Sequence, residues 1–352
     1  MNLTQQNNTF LEMEQNLGYV YPVWARVVIS IFLSILIMMG CFGNLLVCFV
    51  FTRPKAMKTS INLFVVNLAV ADILQSFNMI FMIIAANYGR WVLGDAMCQV
   101  HGFTTISFIV TSLITLFFIS VNRYFTICSA MSQKSFFSKR NNILLIVFCW
   151  VYPALLAIAP VFGWSEYSYR PGKLMCTLKF STDISYTVTL CASALFVPFA
   201  GICLSYYKII AFMRVHRKRV ETFRAQNAAT RKKEDTHVAV MLGVVIASFM
   251  LFYLPSSTIN FYELTQGADY SVPVVADVTT VLLAMMNHAN NPVIYGFMNK
   301  GFQQEIRRIH TNRRNASNTE ESQKIDSIMQ RSRKTTNIET TLGAASVAAK
   351  ET

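Results

Sequence analysis

Charge is scarce in this chain of 352 residues: only 14% are Asp, Glu, Lys or Arg, while 53% are hydrophobic. A soluble domain carries about a quarter charged residues, so a water-soluble globular fold is excluded. The apolar content also excludes disorder along the whole chain. Acids are scarcer than bases, 18 against 31, and the net charge is +13. Such an excess can signal nucleic acid, so the position of the bases decides the reading. Cys and His never fall at metal-ligand spacing, so no metal centre is expected. No fixed repeat period is visible, which leaves an inverted-repeat transporter without support. Residues 1–25 hold Glu12, Glu14 and no apolar run. No cleavable signal peptide is expected there, and the first span serves as its own insertion signal.

What the chain has in quantity is long apolar stretches. Seven are about 20 residues or more, the length that crosses a bilayer as a helix. They lie at 26–51, 61–86, 99–122, 143–163, 186–210, 237–261 and 272–297. A barrel would need strands of only about 10 residues with alternating polarity, so helices are expected. Of the 31 Lys and Arg, 26 lie after spans 1, 3 and 5 and in the tail. The positive-inside rule then places the N-terminus outside and the tail in the cytoplasm. Because that rule accounts for the basic loops, nucleic acid is not an expected partner. Asn2 and Asn7 open glycosylation sequons on the outer side, whereas the sequon at Asn315 lies on the wrong side. The expected organisation is an extracellular N-terminus (1–25), an all-α membrane bundle of seven helices (26–298), a short amphipathic helix (299–310) and a disordered tail (311–352). The amphipathic helix follows from Phe302, Ile306 and Ile309 at spacings of four and three, with bases on the other faces. It suits the lipid of the inner leaflet.

Six cysteines fall in or beside spans and read as small apolar packers. Cys98 at the start of span 3 and Cys176 between spans 4 and 5 both face an oxidising compartment, where a disulfide between them is expected.

Ionisable groups inside a bilayer are costly and point to function. Asp72 is the only acid expected at mid-depth. Ser112, Asn287 and Asn291 are placed to turn towards it. An acid, a hydroxyl and two amides suit a small hydrated cation such as sodium, or a water cluster; the alternative is a purely structural cluster. At the inner end of span 3 stands Asn122-Arg123-Tyr124, and Asp235 opens span 6 on the same side. That pair is a candidate two-state latch. Prolines mark spans 4 to 7 (Pro153, Pro160, Pro198, Pro255, Pro273, Pro292), so kinks, cavities and hinges are expected there. The tail carries Ser317, Thr319, Ser322, Ser327, Ser332, Thr335, Thr336, Thr340 and Thr341. Phosphates on them would suit a basic-pocketed regulator such as an arrestin.

The ordered set of these features resembles the rhodopsin-like family of G-protein-coupled receptors. The landmarks are Gly43-Asn44, Leu68 to Asp72, Cys98, Asn122-Arg123-Tyr124, Trp150, Cys176, Pro198, Pro255 and Asn291-Pro292-Val293-Ile294-Tyr295. The likeness covers 26–309 and is greatest to opsins, then to melatonin receptors. It implies a plasma-membrane receptor that shifts a helix-bundle equilibrium to engage a heterotrimeric G protein, with Asn122, Arg123, Tyr124, Asp235, Asn291, Pro292 and Tyr295 in the coupling and activation machinery. Two positions depart from the family: Asn122 replaces its usual acid and Tyr253 its usual tryptophan.

Where the resemblance places the retinal lysine of opsins, this chain has Met285, and a thioether forms no Schiff base. His101 and Thr105 stand where a counterion or an amine-binding aspartate would be, and Phe180 where a melatonin-binding glutamine would be. The expected pocket walls are His101, Thr105, Leu178, Phe180, Tyr253, Ser257, Phe261, Met285 and His288, a set with no acid that suits a neutral small molecule. Each histidine reads first as a packing residue and second as a pH sensor. Every lysine is expected too far from the pocket to bond retinal covalently. The runner-up is therefore a light sensor holding retinal non-covalently. No catalytic residues are expected, because Asp72 stands without the paired acid or Ser/His partner that an intramembrane hydrolase needs.

Overall fold

The structure, a computed structural model, describes residues 21–53, 59–220, 226–267, 272–299 and 301–309, with positions 311 and 319. At 130, 132, 134, 216–220 and 226–236 it describes the backbone alone. Asn2, Asn7 and most of the tail hydroxyls fall outside the described residues. The chain divides into two compact units, Met1–Asn299 and Lys300–Thr352.

The first unit is built on long helices. These are α1 (Val23–Phe51), α2 (Ser60–Tyr88), α3 (Gly94–Cys128) and α4 (Lys139–Ile158). Then α5 runs over Ile184–Leu190, through a π-turn at Cys191–Phe196, and on over Val197–Val220. Last come α6 (Gln226–Gln266) and α7 (Val274–Met298). Six of the described helices are long and apolar enough to cross a membrane. α7 is outside that group because Asp277, Asn287, His288, Asn290 and Asn291 interrupt its apolar run. Two prolines read as span interruptions mark ends instead. Pro160 sits in a 3-10 turn after α4, and Pro273 caps the start of α7. In the second unit a helix, α8, covers 301–309.

Polarity is arranged inside out. Trp24, Phe42, Leu155 and Leu251 are 71%, 62%, 65% and 68% exposed, whereas Asn44, Asp72, Ser112 and His288 are fully buried. An aqueous solvent would favour the reverse; in lipid the apolar surface costs nothing and the polar groups must find each other. They do so between helices. Asn67 Nδ2 donates to Thr115 Oγ1 at 2.8 Å and Asn67 Oδ1 accepts from Trp150 Nε1 at 2.8 Å, joining α2, α3 and α4. Asn78 Nδ2 donates to Thr105 Oγ1 at 2.8 Å.

The kink in α7 has its own repair. Pro292 lacks the N–H that would bond the carbonyl of His288 four residues back. Asn44 Nδ2 on α1 donates to that carbonyl at 2.8 Å. The approach needs Gly43, because a Cβ there would stand 2.8 Å from the Pro292 ring.

Between α4 and α5 the chain folds into a hairpin of β1 (Tyr167–Arg170) and β2 (Met175–Leu178), antiparallel with Arg170 opposite Met175. Cys98 and Cys176 are bonded, which ties β2 to the N-terminal end of α3. The Tyr167 hydroxyl donates to the Ala157 carbonyl at 2.7 Å, and its ring lies where Gly102 leaves out a side chain. A 3-10 turn, Pro171–Lys173, joins the strands, and Leu174 follows it in left-handed backbone (φ 55°) while fully buried. For a non-glycine residue that conformation costs about 1–2 kcal/mol.

Candidate functional site

Beneath the hairpin lies a cavity of about 580 Å³ between α3, α5, α6 and α7. α3 presents Thr105, Ile106, Ile109, Val110 and Leu113 to it, the positions that share one helical face. Phe180, Tyr253, Ser257, Phe261 and Met285 also line it. Six of the nine expected wall residues are therefore together. Val188, Phe196, Leu254 and Phe261 line the cavity yet are 54%, 61%, 65% and 63% exposed, so it reaches the lipid-facing surface between α5 and α6.

Three expected walls lie elsewhere. Leu178 is buried on β2, but a strand alternates its faces. Met175 and Thr177 take the cavity side, while Cys176 and Leu178 face away from it. His101 is one turn too high on α3. β2 covers it, the Cys176 N–H donates to its Nδ1 at 3.3 Å, and the Phe81 and Trp91 rings pack at 5.4 Å. His288 sits three residues beyond Met285 on α7, and Tyr253, which lines the cavity, stands in hydrogen-bond contact with it.

Two expectations about charge need correction. The first is that no lysine comes near the pocket. Lys173 lines the cavity and is only 3% exposed. Its Nζ donates to Asn260 Oδ1 at 2.7 Å and stands 3.5 Å from Glu263 and 3.9 Å from Asp277. Arg170 pairs with Glu263 at 3.1 Å. Burial pushes the Lys173 ammonium below the usual lysine range, opposed by Asp277 and then Glu263. The sequence signal was a Pro-Gly-Lys turn, which reads as solvated loop unless its neighbours are known.

The second is that Asp72 has no histidine partner. His288 Nδ1 lies 2.8 Å from Asp72 Oδ1, and His288 Nε2 lies 2.9 Å from the Tyr253 hydroxyl. With Asp72 ionised, Nδ1 donates to it and Nε2 accepts from the phenol. Asn291 Nδ2 donates to the other carboxylate oxygen at 2.7 Å, and Ser112 Oγ donates weakly to the first at 3.5 Å. The Asn287 amide is buried with no partner among the described residues. A continuous polar seam thus runs from the cavity floor at Tyr253 through His288 to Asp72 and Asn291. The imidazole and the Asn291 amide each satisfy one carboxylate oxygen, so the acid is held by protein donors and does not require a sodium ion to hold it.

At the far end of α3, Arg123 is 6% exposed and its Nη2 donates to Asn122 Oδ1 at 3.3 Å. Tyr124 carries Lys208 over its ring at 5.3 Å. Tyr295 is buried against Phe51, with ring centroids 6.3 Å apart. The backbone of Asp235 lies in α6, but its side chain is outside the described residues. Met285, at the position of the opsin lysine, is also fixed, its sulfur accepting from Gln75 Nε2 at 3.7 Å. An imine does not fit there.

The comparisons with known proteins agree with this architecture. Melanopsin-B of Xenopus laevis is 29% identical over 287 residues, 79% of this chain and 54% of that protein. The chain thus spans about half the length of that relative. Melatonin receptor type 1B-B of Danio rerio is 28% identical over 319 residues, 87% of this chain and 90% of the receptor. The crystal structure of squid rhodopsin superposes with a TM-score of 0.74 at 26% identity, covering 81% of this chain and 80% of that one. The sequence profile of the 7 transmembrane receptor (rhodopsin family) matches residues 43–295, most of the chain, so this multi-pass membrane protein belongs to that family.

Proposed function

We propose that the chain is a plasma-membrane G-protein-coupled receptor with its hairpin side extracellular and its Arg123 side cytoplasmic. One observation carries the reading: the cavity floor and the mid-membrane acid are joined by an unbroken Tyr253–His288–Asp72 chain of hydrogen bonds. A ligand pressing on Tyr253 acts on that seam. The seam reaches Asn291, beside the Pro292 hinge and a turn from Tyr295. Movement there opens the Arg123 end to a heterotrimeric G protein. The cavity is almost wholly apolar and reaches the lipid surface, which favours a neutral, membrane-partitioning ligand. The seam's donors make sodium unnecessary, and nothing in the seam calls for a catalytic role. Asn2 and Asn7 would carry glycans on the outer side.

The second reading, a photoreceptor holding retinal non-covalently, is favoured by the likeness to Melanopsin-B and squid rhodopsin. One experiment separates the two. Cells expressing the receptor are followed for cAMP and calcium against a library of apolar compounds, in light and in darkness. A dose-dependent response in the dark supports the ligand receptor. A response that needs light and added retinal promotes the second reading, and silence throughout counts against both. Two variants share the assay. Asp235→Ala should raise basal signalling if it latches Arg123, and unchanged basal activity would count against the latch. Truncation after Arg314 should slow desensitisation if the tail recruits arrestin, and intact desensitisation would remove that role.

A further inference from the structure

We infer that the ion cluster at the hairpin turn is a proton-operated clasp: a proton taken from the extracellular side by Asp277 unties the hairpin from α7 and loosens the roof of the cavity. The inference rests on the reading that the hairpin side faces outward. The hairpin contributes Arg170 and Lys173, α6 contributes Asn260 and Glu263, and α7 contributes Asp277, so the cluster joins three separate elements. Lys173 and Asn260 also line the cavity. The turn they hold is strained, because buried Leu174 takes left-handed backbone immediately after Lys173. Gly172 leaves room for Asp277, whose Oδ2 would lie 2.7 Å from a Cβ at that position. The Tyr21 hydroxyl donates to the Gly172 carbonyl at 2.8 Å.

The two acids are not held alike. Glu263 has a cation on each oxygen, Arg170 at 3.1 Å and Lys173 at 3.5 Å. Asp277 has one, Lys173 at 3.9 Å, and accepts no side-chain hydrogen bond among the described residues. The shortest contact of the lysine goes to Asn260 instead, at 2.7 Å. A carboxylate away from water with no donor and a distant counter-charge gains least from staying ionised. A proton added to the cluster therefore goes to Asp277. The other groups that face it keep their state as the pH falls. Arg170 stays charged, and acid only favours the Lys173 ammonium. Burial holds the Tyr21 and Tyr169 phenols above the usual tyrosine range, so both stay neutral.

The consequence follows from charge and strain. With Asp277 ionised the cluster is balanced, two cations against two anions. With Asp277 neutral it carries two cations against one anion, and no ion pair ties Lys173 to α7. The turn is then held by α6 and by the Tyr21 hydroxyl alone, against the strain at Leu174. A turn released from α7 carries Met175 and Thr177 with it, since both follow within four residues along β2 and both line the cavity. Extracellular acid thus acts on the cavity through its roof, without any group inside the bilayer changing charge.

The test uses the purified full-length receptor in lipid nanodiscs and reads hydrogen–deuterium exchange of the hairpin amides, corrected for the intrinsic effect of pH on exchange. From about pH 8 to about pH 5, the span over which carboxyls withdrawn from water titrate, exchange at Gly172, Lys173 and Leu174 should rise roughly fivefold. Asp277→Asn, which imitates the protonated acid, should exchange fast at both ends of that range. Should Asp277→Asn fail to fold, Lys173→Gln, which cuts the same tie from the hairpin side, should also exchange fast at both. Exchange that ignores pH in the parent protein, or a pH dependence that survives in either variant, overturns the inference. A pH-operated hairpin in a protein silent in the signalling assay would uphold the clasp and weaken the receptor reading. A ligand response from a protein whose hairpin ignores pH would do the reverse.

Discussion

Replacing His288 with leucine should lower the stability of the purified receptor by about 3 kcal/mol, the order expected when a buried carboxylate loses its main donor. Asp72 is fully buried and has His288 as a hydrogen-bond partner at 2.8 Å on one oxygen. Leucine fills space without offering an N–H, so only Asn291 at 2.7 Å and the long contact from Ser112 would remain. Thermal unfolding in detergent reads the loss. The pair should also couple: Asp72→Asn with His288→Leu should cost less than the two single changes added together. A His288→Leu protein as stable as its parent would show that the imidazole is not a partner of the acid. The same geometry predicts how the receptor treats sodium. Exchanging sodium chloride for choline chloride should leave its melting temperature unchanged. His288→Ser, which exposes the carboxylate lone pair and adds a hydroxyl, should make it rise with sodium. A sodium-dependent rise in the parent protein would restore the cation to the site.

Cys98→Ser and Cys176→Ser should each remove about 4 kcal/mol and most of the surface population. The bond closes a segment with a sequence separation of 78, and the entropy of that closure sets the scale. Two further consequences add to it. Without the tether, β2 is free to lift from His101, whose Nδ1 takes the Cys176 N–H. Met175, Thr177 and Lys173 would then leave the cavity roof together, because all three ride on one short hairpin. Flow cytometry of an epitope-tagged receptor measures surface level, and thermal unfolding in detergent measures the stability lost. Normal surface level and normal stability in both variants would mean that the bond is dispensable.

The helices were legible in the sequence because lipid imposes one requirement on every span, a long apolar stretch. Their ends were not. α3 begins at Gly94 and ends at Cys128, against an expected 99–122, and α6 begins at Gln226 rather than 237. Helices continue past the bilayer, where Arg, Lys and Asp are tolerated and the apolar signal stops. The Cys98–Cys176 pairing was legible because both cysteines stand outside the spans. The Asp72 partners were half legible. Asn291 and Ser112 came from helical facing, but the donor that dominates, His288, was assigned to the pocket. Met285 and His288 are less than one turn apart on α7, and spacing alone does not say that the Tyr253 hydroxyl engages His288 while Met285 meets the cavity. Lys173 was illegible for another reason. A lysine after Pro-Gly looks like water-facing loop, and only Glu263, Asp277 and Asn260, contributed by α6 and α7, make its burial affordable.

The opening between α5 and α6 bears on how the receptor would be measured. A compound entering through Val188, Phe196, Leu254 and Phe261 comes from dissolved lipid, not from water. The concentration that governs occupancy is then its mole fraction in the bilayer. Potency quoted per litre of buffer would fall as more membrane is added to the well, since the same dose is diluted into a larger oil volume. Two homologous ligands with identical contacts would differ in apparent potency by the ratio of their partition coefficients, about 0.8 kcal/mol for each added methylene. Dose–response curves for this protein are therefore to be normalised to lipid, and rinsing with buffer alone would clear such a ligand slowly.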